Sequence, residues 1–301
     1  MSNPSKRLPE PGSPSPVVRL AIPNKGRISQ PIMDLLEKSG LTLLDAGDRK
    51  LISRTPDPHV EVLFARPIDI PEYVANGAAD LGITGHDMVA EREVDLEELL
   101  QLGIGQATLV LAVQENSRFK NVEDLKGAKI ATEFPNITRS FFRERNIPVQ
   151  IVQVGGACEA TPYLGIADAI IDLSSSGDTL RSNRMRVIKE VMKTGTVLIA
   201  NRASRKGKSE KIEEIILALE SVIKARGQCY LMMNVERTCL LEVERVLPGL
   251  SGPTIMEVAS REDMVAVHAV VSEDRVFSLI TQLKRAGARD ILVMSIERMI
   301  R

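Results

Sequence analysis

Apolar positions along the chain fall into short blocks, and the spacing inside each block predicts the element it builds. Residues 17–22 form an apolar run too short for a helix, which reads as a strand. Ile32, Leu35 and Leu36 then recur on one helical face, with Ser29 placed to cap its start and Gly40 to stop it. Residues 23–27 are therefore a strand-to-helix loop. The same reading gives strands at 60–65 and 79–84, the latter ending in Gly85-His86-Asp87, with a short helix at 70–76 between them. Further strands are predicted at 107–113, 129–132, 149–154 and 167–173, with a helix over 139–145. Strands alternating with helices predict an α/β fold with a mostly parallel sheet. Residues 188–199 bring the chain back. Residues 202–211 read as polar and exposed, opening into a helix with Ile212, Ile215, Ile216 and Leu219 on one face.

After Gly227 the rhythm changes. Strands at 229–235, 254–259, 264–271 and 290–296 and helices at 239–247 and 276–286 give the order βαββαβ. That is a ferredoxin-like split unit within about 75 residues.

The 301-residue length suits two domains or a few small ones. With 39 Lys+Arg against 40 Asp+Glu, a broadly basic nucleic-acid coat is excluded. Aromatics are 3% with no Trp, which argues against stacking platforms for single-stranded nucleic acid. No apolar run reaches the roughly 18 residues needed to span a bilayer. Residues 1–16 carry charge and proline and read as a disordered tail, not as a signal peptide. Cys158, Cys229 and Cys239 form no CxxC pair, which points to a reducing cytoplasm. His59, His86 and His268 show no zinc spacing. His86 reads as a local hydrogen-bonding residue, and the other two as structural or exposed.

The segment 159–183 is the richest in chemistry. Asp168, Ile170 and Asp172 share one face of a strand whose two faces are mostly apolar, so a buried strand carries two carboxylates. Ser174, Ser175, Ser176, Gly177, Asp178 and Thr179 follow and lead into a helix. Hydroxyls, a glycine and free helix N–H groups at one point suit a phosphate, and the nearby acids suit ribose hydroxyls or Mg²⁺. An ordinary polar turn with a capped helix is the competing reading. Lys25-Gly26-Arg27 on the first loop suits a polyphosphate, or is simply a solvated loop. Residues 82–87 turn on two glycines at a strand end, where open α/β sheets hold ligands.

IPNKGR (22–27), RPIDIP (66–71), DLGITGHD (80–87) and GIADAIIDLSSSGDTLRSN (165–183) occur in an order that resembles the ATP phosphoribosyltransferase family. ERVLPGLSGPTI (244–255) and GARDILVMSIERM (287–299) resemble the C-terminal regulatory domain of its long form. The resemblance covers residues 17–301. It departs at Ser174 and Ser176, which stand where the family's phosphate loop has Val and Thr.

The resemblance implies an α/β fold: a two-lobed core like that of periplasmic binding proteins plus a C-terminal ferredoxin-like domain. Lobe one is expected at 17–106 and 186–224, lobe two at 107–185 and the regulatory domain at 225–301. The implied reaction condenses ATP with phosphoribosyl pyrophosphate (PRPP) in the presence of Mg²⁺, the first step of histidine biosynthesis, with histidine as feedback inhibitor and a homo-oligomer as the assembly. Glu159, Asp168 and Asp172 are then expected in the catalytic group, with Asp168 and Asp172 as metal candidates. Residues 174–179 hold the PRPP phosphate. Lys25, Arg27, Arg49, Arg66, Asp69 and Asp87 are expected at ATP, and Asn234 and Thr238 at the inhibitory histidine. The rival from another class is a two-lobed small-molecule binding protein without catalysis.

Overall fold

The structure is a computed structural model that describes residues 17–45, 51–247, 252–259 and 261–300. Residues 1–16 and Arg49 lie outside the described residues, as do Pro248 and Gly249, where a helix was expected to end. The chain divides into two compact units, 1–216 and 217–301.

The first unit contains two sheets. Lobe one runs β1 (Val18–Pro23), α1 (Ser29–Lys38), β2 (Ile52–Arg54), β3 (Val60–Ala65), α2 (Ile70–Ala75), β4 (Leu81–Gly85), α3 (His86–Arg92) and β5 (Glu97–Gln101). The chain then crosses into lobe two: β6 (Ala107–Gln114), β7 (Lys129–Thr132), α4 (Pro135–Arg143), β8 (Gln150–Gln153), β9 (Ala169–Ser174), α5 (Asp178–Ser182) and β10 (Met185–Thr194). It returns through β11 (Thr196–Ala200), α6 (Arg202–Gly207) and α7 (Ser209–Ala225), the last reaching into the second unit. The sheet orders are β2-β3-β1-β4-β11-β5 and β10-β6-β9-β7-β8. β1 pairs in parallel with β3 and β4, and β7 with β8 and β9. The strands beside the crossings, β5, β6, β10 and β11, run antiparallel to their neighbours, so the sheets are mixed and not mostly parallel. The second sheet takes in all of β10, which puts the return crossing at Gly195.

Local chemistry explains the ends of α1. Gly40 adopts φ +83°, its N–H donates to Glu37 O, and Leu41 N donates to Leu36 O at 2.8 Å. This is a Schellman stop, which a left-handed residue must supply. Ser29 does not cap the helix. Ile28 is the N-cap, and the Ser29 hydroxyl donates back to Pro23 O at 3.1 Å, closing the preceding loop.

The run at 202–211 is exposed at most of its positions, as expected, but it folds into α6 and is tied down at Lys208. Asn201 caps α6 by accepting from Ala203 and Ser204 N–H. The Lys208 ammonium reaches both oxygens of buried Asp80 at 2.9 Å and Val17 O at 2.8 Å. Asp80 also accepts from Arg19 N–H, so a buried charge pair ties this turn to β1.

The second unit completes the fold with β12 (Gln228–Glu236), α8 (Leu240–Val246), β13 (Thr254–Glu257), β14 (Met264–Ser272), α9 (Glu273–Arg285) and β15 (Ala288–Ser295). Its antiparallel sheet has the order β13-β14-β12-β15, the ferredoxin-like arrangement. Leu231, Met233, Val265 and Val267 pack under Val243, Leu279 and Leu283 of the helices.

Candidate functional site

Strand β9 positions the strongest candidate. Ala169, Ile170 and Ile171 are fully buried, which anchors the strand in both lobe-two clusters. The residues beyond them emerge at its C-terminal end. Ser174 is the last strand residue, and Gly177 adopts φ +77° at the start of α5. A Cβ there would meet the Arg181 guanidinium at 3.2 Å on a backbone that side chains rarely adopt. The Ser176 hydroxyl donates to Asp178 at 2.5 Å, and Arg181 pairs with the same carboxylate. Those two hydrogen bonds hold the Asp178 carboxyl below its usual range. Ser175 and Thr179 are exposed beside it.

The two strand carboxylates separate. Asp172 lies at the loop end, while Asp168 precedes the strand, about 13 Å back along it at 3.3 Å per residue. Asp168 is exposed, its N–H donates to Lys129 O, and its carboxylate accepts Lys129 N–H at 2.8 Å. It clips β9 to β7 at the far end of the sheet. Its expected catalytic and metal roles are therefore withdrawn, because side chains at opposite strand ends cannot serve one site.

Asp172 is pushed up to about 6, chiefly by burial, with the carboxylates of Glu133 and Glu159 adding to the rise. The thiol of Cys158 hydrogen-bonds it. Cys158 is itself pushed up to about 12 by burial and then by Asp172 and Glu133, so it stays a thiol. Three carboxylates thus share one electrostatic environment. Glu133 escaped the sequence reading. Its signal was its place just past the C-terminal end of β7, where sheets of this kind present ligand-binding groups.

Lobe one faces this end across a cavity of about 160 Å³ lined by Lys25, Gly26, Arg27, Gly85, Asp87, Leu173 and the crossing residues Thr194 to Thr196. Lys25 and Arg27 are exposed at its mouth. Asp87 is buried and accepts the Thr194 hydroxyl at 2.6 Å, while its own N–H donates to that hydroxyl at 3.0 Å. Asp87 is thus committed to tying α3 to the crossing. At Gly105, where φ is +63°, a Cβ would lie 2.5 Å from Ile28 Cγ2, so the crossing needs glycine to pass under the Lys25 loop.

A second cavity of about 380 Å³ is lined by Ile68, Glu91, Arg92, Glu133, Asn136 and Arg139, among others. Arg66 donates to Asp69 at 2.7 Å, and Arg92 reaches Asp69 at 3.5 Å and Ile68 O at 3.0 Å. Asp69 therefore orients two arginines, of which Arg92 lines this cavity. In the second unit, Asn234 donates to Asp290 at 3.0 Å, while Thr238 is exposed in the turn after β12.

Among the described residues, no three acidic, His or Cys side chains converge closely enough to cage a metal ion. No described helix is long and apolar enough to cross a membrane.

Residues 66–221 match the family profile described as ATP phosphoribosyltransferase, and residues 225–298 match that of its C-terminal domain. A protein of Methanococcoides burtonii named ATP phosphoribosyltransferase is 54% identical over 94% of this chain and 100% of its own. One of the same name from Methanocaldococcus jannaschii is 47% identical over 94% of this chain and 100% of its own. A solved ATP phosphoribosyl transferase (HisG:HisZ) complex from Thermotoga maritima superposes with a TM-score of 0.62 at 27% identity, covering 69% of this chain and 99% of that one.

Proposed function

The chain belongs to the ATP phosphoribosyltransferase family, and on that premise we propose that its cleft joins ATP to PRPP, giving phosphoribosyl-ATP and pyrophosphate. N1 of adenine attacks the anomeric carbon of the ribose as pyrophosphate leaves. Positive charge grows on the sugar and negative charge on the leaving group, so the protein must mainly orient and stabilise. No protein nucleophile is needed, and Cys158, held as a thiol, is not one.

The observation that carries the reading is the hydroxyl-rich bend from Ser174 to Thr179 at the end of a buried strand. Its backbone N–H and hydroxyl groups receive the 5-phosphate. Asp172, with Glu159 and Glu133 close by, holds the ribose hydroxyls and faces the charge that develops on the sugar. Lys25 and Arg27 hold phosphates across the smaller cavity, and Arg66 and Arg92 line the ATP side. Asp87 and Asp69 act through the groups they hold. Arg49 remains a candidate from sequence alone.

Mg²⁺ fits this donor set in one particular way. The mutual repulsion around Asp172 is what a cation would relieve, yet the described residues form no full protein cage, so Asp172 and substrate phosphates would share the ion. When bound, it neutralises the leaving pyrophosphate. The second unit is the seat of histidine inhibition, the assembly a homo-oligomer and the compartment the cytoplasm. A two-lobed binding protein without catalysis is disfavoured, because the relatives matched along nearly the whole chain are named as transferases.

The test mixes pure protein with ATP, PRPP and Mg²⁺ and follows phosphoribosyl-ATP by absorbance, with and without histidine. Product formation that needs all three, and falls with histidine, is expected. No product with any metal would refute the reading.

A further inference from the structure

Glu91 is 6% exposed, and the hydrogen bonds of its carboxylate to described residues go to the other lobe. It projects from α3 of lobe one to the start of α4 in lobe two. Its carboxylate accepts Asn136 N–H at 3.0 and 3.1 Å and Ile137 N–H at 3.1 Å. In return, the Asn136 side chain donates to Glu91 O at 2.8 Å. The first N–H groups of any helix lack partners within it. The N-cap residue of α4, Phe134, offers no side-chain bond, so the cap comes from the other lobe. A carboxylate also suits the positive end of the helix. The same face of α3 carries Met88, packed on the lobe-two core, and Asp87, bound to Thr194.

The neighbours of this cap in sequence belong to the cleft. Arg92 follows Glu91 directly and holds Asp69 and Ile68 O. Glu133 lies just before α4 and acts on Asp172. We propose that Glu91 is a positioning residue for the transfer: by capping α4 across the cleft, it sets the spacing between the Arg92–Asp69 group on lobe one and the Glu133–Asp172 group on lobe two. This rests on the function proposed above. A displacement of about 1 Å between groups on opposite walls is enough to cost about 100-fold in rate.

The test places spin labels at Glu37→Cys on α1 and Lys126→Cys before β7, both exposed, with Cys239→Ser to remove the partly exposed native thiol. The interlobe distance is measured by pulsed electron resonance and turnover is assayed on the same proteins. In the labelled parent, assembled with excess unlabelled protein so that each oligomer carries at most one labelled copy, one narrow distance is expected. Glu91→Ala broadens it and lowers kcat by about 10- to 100-fold, with a smaller change in KM for ATP and PRPP. Glu91→Gln, which keeps an acceptor, falls between the two in both readouts. A lower melting temperature with distance and kcat unmoved would overturn the proposal and leave Glu91 a stabilising cap only. If Glu91→Ala does not fold, Glu91→Gln and Asn136→Ala carry the same test: partial broadening with reduced kcat supports the proposal, and an unchanged distance with full kcat overturns it. If the parent makes no phosphoribosyl-ATP, the functional reading fails, while the distances still judge whether Glu91 holds the lobes.

Discussion

In the proposed reaction Asp172 sets stability against work. Its carboxyl sits at about 6 in the fold against an ordinary 3.8, because burial and the acids around it oppose ionisation. The sign follows directly. A carboxyl raised on folding leaves stability untouched below about pH 4, and the folded state loses stability as pH climbs from there through 6. Asp172→Asn should therefore stabilise the protein by about 2 kcal/mol at pH 7.5, seen as a higher melting temperature, while turnover collapses. A variant that gains stability and keeps its rate would remove Asp172 from the reaction. The limb of kcat/KM on the acid side should likewise fall near pH 6. Gly177→Val imposes a side chain on a left-handed backbone and pushes on Arg181. It should raise KM for PRPP by about tenfold or more, at least 1.4 kcal/mol of binding, and leave KM for ATP nearly unchanged. Steady-state kinetics in both substrates decide it.

Elements were legible where both faces of a strand are buried. Residues 107–113 read as a strand because a nearly continuous apolar run of that length has few alternatives, and β6 occupies that span. β5, with the sequence EELLQ, was missed because it is a half-exposed edge strand with no apolar alternation. α3 was hidden inside a motif that reads as a turn. Within the largely exposed run at 202–211 the anchoring role of Lys208 was not legible, because nothing local announces its partner, a carboxylate 128 residues earlier. In the candidate site, the bend at 174–179 was visible from its composition, whereas Glu133 and Glu91 act through residues distant in sequence. Asp168 and Asp172 could not be told apart, since alternation puts them on one face and says nothing about which strand end faces the ligand. The buried pair gives a prediction at this scale. Lys208→Ala leaves Asp80 charged with little compensation and should cost about 3 kcal/mol, read by chemical denaturation, with kcat of the folded fraction preserved.

At the scale of the whole molecule, the proposed function divides chemistry and regulation between the two units. The proposed cleft residues all lie in the first unit, and the ferredoxin-like sheet lies in the second. Inhibition from a separate unit requires two states that differ in histidine affinity. Deleting residues 226–301, which leaves α7 whole, should abolish sensitivity to histidine. A folded truncated enzyme that histidine still inhibits would place the inhibitory site in the first unit. The account as a whole depends on where the sugar phosphate sits, and a crystal structure of the protein with PRPP and Mg²⁺ measures that directly. The 5-phosphate is predicted within hydrogen-bond distance of the N–H groups of residues 175–179, with the ribose hydroxyls on Asp172. A phosphate bound elsewhere, with that bend left to solvent, would contradict it.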